Sequence, residues 1–227
     1  MIVARDLSKT YGKGDAATRA LREVNLEIEQ GEMAAIMGPS GCGKTTLLQL
    51  LAGIERMSEG EVWLDRIPLH TLDDRSLSSL RLQKMGFIFQ SYHLIPVLTA
   101  AENTAIPLIA GGMPAKDARR RALAALKEVG LGGMEDRYPG EMSGGQNQRV
   151  AIARAIAAEP AVLWADEPTG ALDTDTSGQI IGLLEMLNRH RGTTVVIVTH
   201  DPKIAERCSR IIRMQNGRIL HDGRNVS

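Results

Sequence analysis

The chain has 227 residues, of which 43% are hydrophobic, so it is long enough to bury a sizeable core in one domain. Lysine plus arginine and aspartate plus glutamate balance at 27 each, which excludes a net field that would recruit nucleic acid or an anionic membrane. The two cysteines, Cys42 and Cys208, lie far apart in sequence, which argues against a disulfide framework and favours the cytoplasm. No apolar run approaches the roughly 18 residues that are needed to span a bilayer.

The first thirty residues contain two runs in which apolar and polar side chains alternate. Residues 2–7 and 21–28 therefore predict half-buried antiparallel strands, separated by a polar loop. Tyr11 lies at the start of that loop, where its ring could stack on an adenine base, although a tyrosine beside a strand more often packs against its neighbours. From spacing alone, both interpretations stay open.

Residues 33–45 predict a short apolar strand, a glycine-rich turn and the start of a helix. The spacing of Gly38, four residues and then Gly43-Lys44-Thr45 fits the P-loop, in which backbone N–H groups surround nucleotide phosphates and the lysine reaches the outer ones. The glycines let the backbone approach an anion closely, and the helix directs its positive end toward it. We expect the next residue, Thr45, to hold magnesium. An ordinary glycine-rich turn would not explain why Lys44 and Thr45 follow the glycines. The predicted nucleotide site comprises Gly38, Pro39, Ser40, Gly41, Cys42, Gly43, Lys44, Thr45 and Thr46.

The next part of the chain predicts a helix over 46–54, a strand over 61–65, a helix over 71–84 and a strand over 86–89 that ends at Gln90. Residues 91–113 are apolar but interrupted by prolines and a glycine pair, and they predict an irregular segment. Residues 115–130 predict a helix with one apolar face. We therefore expect a helical subdomain at approximately 91–160, within a single domain over residues 1–227.

Residues 142–146, Met-Ser-Gly-Gly-Gln, introduce a predicted helix over 147–158. Ser143 can cap this helix, and the glycine pair would let an anion approach its positive end. The residues alone favour a second phosphate site and an ordinary capped helix about equally.

Two later runs, residues 161–165 and 193–199, have the character of strands buried on both faces. The first ends at Asp166 and Glu167, and the second ends at His200. Adjacent carboxylates at the end of a buried strand are costly without a cation, and open parallel sheets bind ligands at the carboxyl ends of their strands. We expect magnesium and a catalytic base there, although a histidine in such a position is, by itself, more often structural.

Residues 211–214 and 218–221 flank Asn216-Gly217 and predict a hairpin that closes the sheet edge. Together the elements predict an α/β fold: a P-loop NTPase core with a mainly parallel sheet, an N-terminal antiparallel β layer and an inserted α-helical subdomain.

The motifs at 38–45, Gln90, 142–146, Asp166-Glu167, Asp173 and His200 follow the order and spacing of the ATP-binding cassette (ABC) family, and the resemblance covers nearly the whole chain. Within that family, residues 38–45, 89–96 and 165–173 look most like the ATPase subunits of the lipoprotein-releasing, macrolide-export and cell-division group. Met142 departs from the commonest residue, leucine, and Asn147 stands where glutamine or a similar residue is usual. These departures could alter the rate, but we expect neither to abolish activity.

The resemblance implies ATP and Mg²⁺ as ligands. It makes Tyr11 the adenine-stacking aromatic, and Lys44 with the loop amides the phosphate-binding groups. It makes Thr45 and Gln90 ligands of magnesium, supported by Asp166 through water.

The resemblance also implies that Glu167 is the general base and that His200 senses the terminal phosphate. Four residues, Ser143, Gly144, Gly145 and Gln146, would contact the nucleotide on the opposite subunit of a head-to-tail homodimer. Asp173 would bridge the two halves.

The function that the resemblance implies is that of an ATPase motor subunit bound to the inner face of the cell membrane through a separate permease. The permease would dock near residues 91–113, where the apolar residues 94–98 follow Gln90, unless these residues only pack the helical subdomain onto the sheet.

The alternative is a soluble ABC ATPase that is not coupled to a transporter. A P-loop kinase would not need residues 143–146, and a nucleotide-gated scaffold would not need Glu167. We expect no nucleic-acid partner.

Overall fold

The structure, a computed structural model, describes residues 1–224, so the last three residues of the predicted domain lie outside the described residues. The strands are β1 (Ile2–Tyr11), β2 (Thr18–Ile28), β3 (Met33–Met37), β4 (Glu59–Leu64), β5 (Ile67–Pro68), β6 (Met85–Phe89), β7 (Val162–Asp166), β8 (Thr194–Thr199), β9 (Arg210–Gln215) and β10 (Arg218–Arg224). The helices are α1 (Lys44–Leu51), α2 (Asp74–Lys84), α3 (Ala100–Ala110), α4 (Ala115–Glu128), α5 (Gly144–Ile156), α6 (Thr174–Arg191) and α7 (Pro202–Ala205).

The strands form two sheets, as predicted. Four strands form an antiparallel sheet in the order β2-β1-β4-β5, which is the expected N-terminal layer. Six strands form the second sheet, in the order β10-β9-β3-β8-β7-β6. Its strands are parallel except for the β9–β10 hairpin, whose turn residues Asn216 and Gly217 have φ angles of 50° and 76°.

Alternate side chains of the central strands enter two different hydrophobic clusters. Along β3, Ala34 and Ile36 pack with the antiparallel sheet and α1, whereas Met33 and Ala35 pack with helices α3 to α6. This is the two-residue period of a β-strand. The mainly parallel sheet is therefore covered on both faces, which explains why its central strands are apolar throughout.

The strand order brings the carboxyl ends of four strands to one edge of the sheet. Met37 is opposite Thr199, and Asp166 lies between Phe89 and Val198 in the register. Four of the predicted motifs begin at or next to one of these ends: residues 38–45, Gln90, Asp166-Glu167 and His200. The topology therefore brings together residues that are up to 162 positions apart, from Gly38 to His200.

The prediction that residues 91–113 are irregular is wrong for their second half, which contains α3. Thr99 and Glu102 form a capping box: Glu102 N donates to Thr99 Oγ1 at 3.3 Å, and Thr99 N donates to Glu102 Oε2 at 2.8 Å. This box starts the helix, and burial of one face stabilises it although Pro107 removes one N–H donor. The fully buried Asn103 holds the preceding loop through bonds to the carbonyls of residues 95, 98 and 99.

Helices α3, α4 and α5 pack against one another and form the expected helical region. Its limits at approximately 91–160 stay a prediction. Among residues 1–224, no helix is both long enough and apolar enough to cross a membrane.

Candidate functional site

The predicted P-loop connects β3 to α1 and wraps around the first turn of that helix. Gly41 and Gly43 have φ angles of 76° and 103°, which favour glycine. A Cβ at position 43 would also lie 2.6 Å from Ala20 O. Lys44 Nζ donates to Gly38 O at 2.8 Å and to Pro39 O at 3.0 Å, so the ammonium lies against the loop. The glycine-rich loop therefore lies at a helix N-terminus with the lysine ammonium beside it. This combination of backbone N–H groups and a cation suits a polyphosphate.

Thr45 and Asp166 meet across the sheet edge. The Thr45 hydroxyl donates to Asp166 Oδ1 at 3.2 Å. Burial raises the pKa of the Asp166 carboxyl above its ordinary value, the bond from Thr45 opposes that rise, and the neighbouring Glu167 adds to it. The ionised carboxylate therefore needs a cation more than an exposed carboxylate would.

The side chains at this edge fit Mg²⁺. Thr45 offers a hydroxyl, Asp166 a carboxylate and Gln90 an amide oxygen, and magnesium prefers oxygen ligands. Gln90 lines the same cavity as Thr45, so the three predicted ligand residues lie in one region. Gly170 packs closely against the side chain of Gln90, because a Cβ at position 170 would lie 2.8 Å from Gln90 Nε2.

Glu167 and His200 are brought together by the neighbouring strands β7 and β8. His200 Nδ1 lies 2.9 Å from Glu167 Oε1, and a neutral imidazole with its proton on Nδ1 donates to the carboxylate. The backbone N–H of Glu167 donates to Val198 O at 2.9 Å. The histidine can therefore orient a carboxylate that faces the P-loop cavity.

The cavity at the P-loop has a volume of about 390 Å³. It is lined by Ala20, Ser40, Gly41, Gly43, Lys44, Thr45, Thr46, Gln90, Glu167, Val198 and His200. The residues that the motifs predict to bind phosphate, to hold the metal ion or to act as the base thus line one space. Tyr11 is not among these lining residues; it lies at the end of β1, where Lys9 Nζ is 4.9 Å from the centre of its ring.

Residues 143–146, here called the signature segment, form the N-cap and first turn of α5. The helix therefore begins at Gly144, three residues earlier than the predicted start at 147. The physical reason is the capping box: Ser143 Oγ accepts from Gln146 N at 3.3 Å, and Gln146 Oε1 accepts from Ser143 N at 2.8 Å. The proposed capping role of Ser143 is confirmed. None of these four residues is among those that line the P-loop cavity of the same chain.

Asp173 is the N-cap of α6. Its carboxylate accepts from Thr176 N at 2.9 Å and from the Thr176 hydroxyl at 2.7 Å. The backbone bond from Thr176, followed by the hydroxyl bond, lowers the pKa of Asp173. This local role does not test the predicted contact between two subunits.

Arg154 was not predicted from the sequence. From α5, its guanidinium donates to Tyr92 O at 2.7 Å and to His93 O at 2.5 Å. Tyr92 and His93 have φ angles of 58° and 48°, so Arg154 holds two residues in an uncommon conformation just after Gln90. Burial lowers the pKa of Arg154. The sequence feature that could have identified Arg154 is the presence of an arginine within the otherwise apolar run 150–156.

Comparison with known proteins identifies the family. The family model described as "ABC transporter" matches residues 21–170. The ABC transporter ATP-binding protein MJ0796 of Methanocaldococcus jannaschii is 46% identical over 226 residues, covering 96% of this chain and 95% of that protein. The lipoprotein-releasing system ATP-binding protein LolD of Bordetella pertussis is 44% identical over 219 residues, covering 96% of this chain and 95% of that protein.

A solved structure agrees with these relatives. The dimeric MJ0796 cassette in a post-hydrolysis state, bound to ADP and Pi, superposes with a TM-score of 0.91 at 43% identity and full coverage of both chains. The P-loop geometry, the carboxylates at the end of β7 and these comparisons lead to one conclusion: the chain belongs to the ABC transporter family, as an ATP-binding subunit with ATPase activity.

Proposed function

We propose that this chain is the motor subunit of a membrane transporter, working as a head-to-tail homodimer with two shared ATP sites. Its partner is a separate permease that carries out lipoprotein release, efflux or force transmission across the membrane. The chain would then lie at the inner face of the cell membrane through that permease. The observation that carries the proposal is an apolar groove next to Gln90.

Hydrolysis follows from the groups around the P-loop cavity. Lys44 and the loop amides bind the phosphates of ATP, and Glu167 accepts a proton from the attacking water while His200 orients its carboxylate. Thr45 and Gln90 would hold Mg²⁺, and the Asp166 carboxylate would support it. When bound, the cation neutralises charge on the phosphate oxygens.

The dimer follows from the position of the signature segment. It combines a helix N-terminus with two glycines, yet it does not line the P-loop cavity of its own chain. Its anion-binding geometry can serve a nucleotide held by a second copy. The MJ0796 structure, which is dimeric and bound to ADP and Pi, supports an assembly of two copies. Asp173, close to that segment in the fold through Thr176, is the proposed contact between the halves.

The apolar groove lies between α2, β6, α3 and α5 and has a volume of about 510 Å³. It is lined by Ser78, Arg81, Leu82, Met85, Gly86, Phe87, Phe89, His93, Ile106, Pro107, Ala110, Arg154, Ala155 and Ala158. Its charged side chains are arginines, and no acidic side chain is among these described lining residues. An apolar segment that also carries a carboxylate would match it.

The groove is connected directly to the ATP site. Phe89, in its wall, precedes Gln90 in sequence, and His93 follows three residues later. Arg154 lines the groove and also binds the backbone of Tyr92 and His93. A permease segment in the groove would therefore displace the backbone on both sides of Gln90, and occupancy of the magnesium site would act back on the permease.

The proposed docking surface differs in part from the one predicted at residues 91–113. Val97 is 79% exposed, but Leu94 is half-buried and packs against the core. A charge at Leu94 would therefore disturb folding as well as docking. The groove contains residues of this segment, including Ile106 and Ala110, together with walls from α2, β6 and α5.

Ala110→Glu tests the groove. Ala110 is exposed at the end of α3, so we expect the variant to fold and to retain basal ATPase activity within about twofold, because surface changes cost little. Co-purification with the permease partner, and stimulation of ATPase by that permease in lipid nanodiscs, should be lost. Basal and stimulated turnover are measured on the same preparations.

Ala124→Glu is the matched control, since Ala124 is exposed on α4 and does not line the groove. It should keep full stimulation. Full stimulation of Ala110→Glu would contradict docking in the groove, and a loss confined to Val97→Glu would place the partner on the loop before α3.

A further inference from the structure

Gln148 is a fully buried polar side chain on α5, a helix that otherwise contributes mainly apolar side chains to the core. An amide removed from water costs free energy unless it is hydrogen-bonded. The partners of Gln148 therefore determine what this side chain contributes.

The side-chain amide of Gln148 binds two backbone carbonyls from different parts of the chain. Nε2 donates to Pro168 O at 2.5 Å and to Phe89 O at 3.4 Å. Because both partners only accept, the NH₂ group must face them and the reversed amide orientation is excluded. Oε1 is buried and has no hydrogen-bond partner within the described part of the chain.

These two carbonyls belong to residues that are next to Gln90 and Glu167 in sequence. Phe89 immediately precedes Gln90, and Pro168 immediately follows Glu167. Phe89 is also opposite Asp166 in the register of β6 and β7. One amide therefore joins the backbones of the proposed magnesium ligand and the proposed base, and it joins both to the helix that begins with the signature segment.

We propose that Gln148 is a positioning residue for ATP hydrolysis. Its amide holds Gln90 and Glu167 at the separation that the reaction requires, and it links that separation to the position of the signature segment. This inference rests on the roles of Gln90 and Glu167 in the proposed function. Gln148 acts through the two backbones and does not line the P-loop cavity.

A purely structural role makes a different prediction. Loss of a buried hydrogen bond would then lower the melting temperature without changing the balance between ATP binding and turnover. A positioning role changes turnover selectively, because a displacement of about 1 Å can cost about a hundredfold in rate.

Gln148→Met keeps the length of the side chain and removes both donors. We expect kcat to fall about tenfold or more, while the ATP dissociation constant changes by less than about twofold because the P-loop is untouched. The Mg²⁺ concentration that gives half-maximal activity should rise, since Gln90 is released. Gln83→Met, at an exposed position on α2, is the matched control and should leave all three values unchanged.

Gln148→His is the second variant, since a neutral imidazole retains one N–H donor. Its kcat should lie between those of the wild type and Gln148→Met. A folded Gln148→Met with wild-type kcat and Mg²⁺ dependence would overturn the proposal. Failure of both variants to fold would also overturn it and assign Gln148 to stability alone.

Glu167→Gln in the same assay keeps the test of Gln148 separate from the test of the base. If Glu167→Gln retains turnover, the assignment of the base fails, whatever Gln148→Met does.

Discussion

Glu167 shows how a single residue is held in place by its surroundings. Its φ angle of 49° is uncommon for a residue with a side chain. The backbone bond to Val198, the bond from His200 and the following Pro168 all restrict it. Such an uncommon conformation persists only where several contacts determine it, and it is often found at functional sites.

Glu167→Gln should remove hydrolysis and spare binding. The amide keeps the size and the oxygen that accepts from His200 Nδ1–H, but it cannot accept a proton from water. We expect kcat to fall by at least about a hundredfold, as is typical for loss of a general base. Turnover and equilibrium ATP binding should be measured on the same protein. Near-normal turnover would mean that the base lies elsewhere.

At the scale of the elements, α5 and α6 meet where Gly145 faces Thr176. A Cβ at position 145 would lie 2.6 Å from Thr176 Cγ2. Thr176 cannot easily move, because its hydroxyl and its N–H both bind Asp173 at the start of α6. The glycine therefore has a packing role within the chain, separate from its proposed contact with a nucleotide on the other subunit.

Gly145→Ala should destabilise the protein through this contact. Overpacking costs about 1–3 kcal/mol, which corresponds to a fall in melting temperature of roughly 2–12 °C for a domain of this size. Gly145→Ala with Thr176→Ser removes the clashing methyl group and keeps the hydroxyl, so most of the stability should return. Thermal melts of the two variants and of Thr176→Ser alone decide this.

ATPase activity of the double variant then separates the two roles of Gly145. If stability and activity both return, packing within the chain explains the glycine. If stability returns and activity does not, the contact with the partner's nucleotide is supported. No recovery of stability would show that the contact with Thr176 is not the cause.

For the whole molecule, the main question is how two copies assemble. Glu167→Gln should become dimeric when ATP and magnesium are added and return to monomer when they are removed. The nucleotide would lie between the P-loop of one copy and the signature segment of the other, so it supplies much of the interface. Sedimentation velocity with and without ATP measures this. A strictly monomeric protein at saturating ATP would remove the reason for assigning the signature segment to a second subunit.

Several features were predictable because their causes are local in sequence. Continuous apolar runs predicted the buried strands β7 and β8, and Asn216-Gly217 predicted the hairpin. The P-loop spacing predicted the phosphate-binding turn. A general rule about parallel sheets then placed Asp166, Glu167 and His200 near it, because strand ends share an edge.

Other features depended on tertiary contacts that the local pattern does not contain. Helix α3 forms despite Pro107 because its buried face packs against α4 and α5. The apolar groove exists only because α2, β6, α3 and α5 meet. Gln148 and Arg154 bind backbone carbonyls 20 to 62 residues away in sequence. The sequence by itself therefore determined the family, most strands and which residues lie at the sheet edge. The fold decided which polar side chains join those parts, because such bonds depend on distance in space.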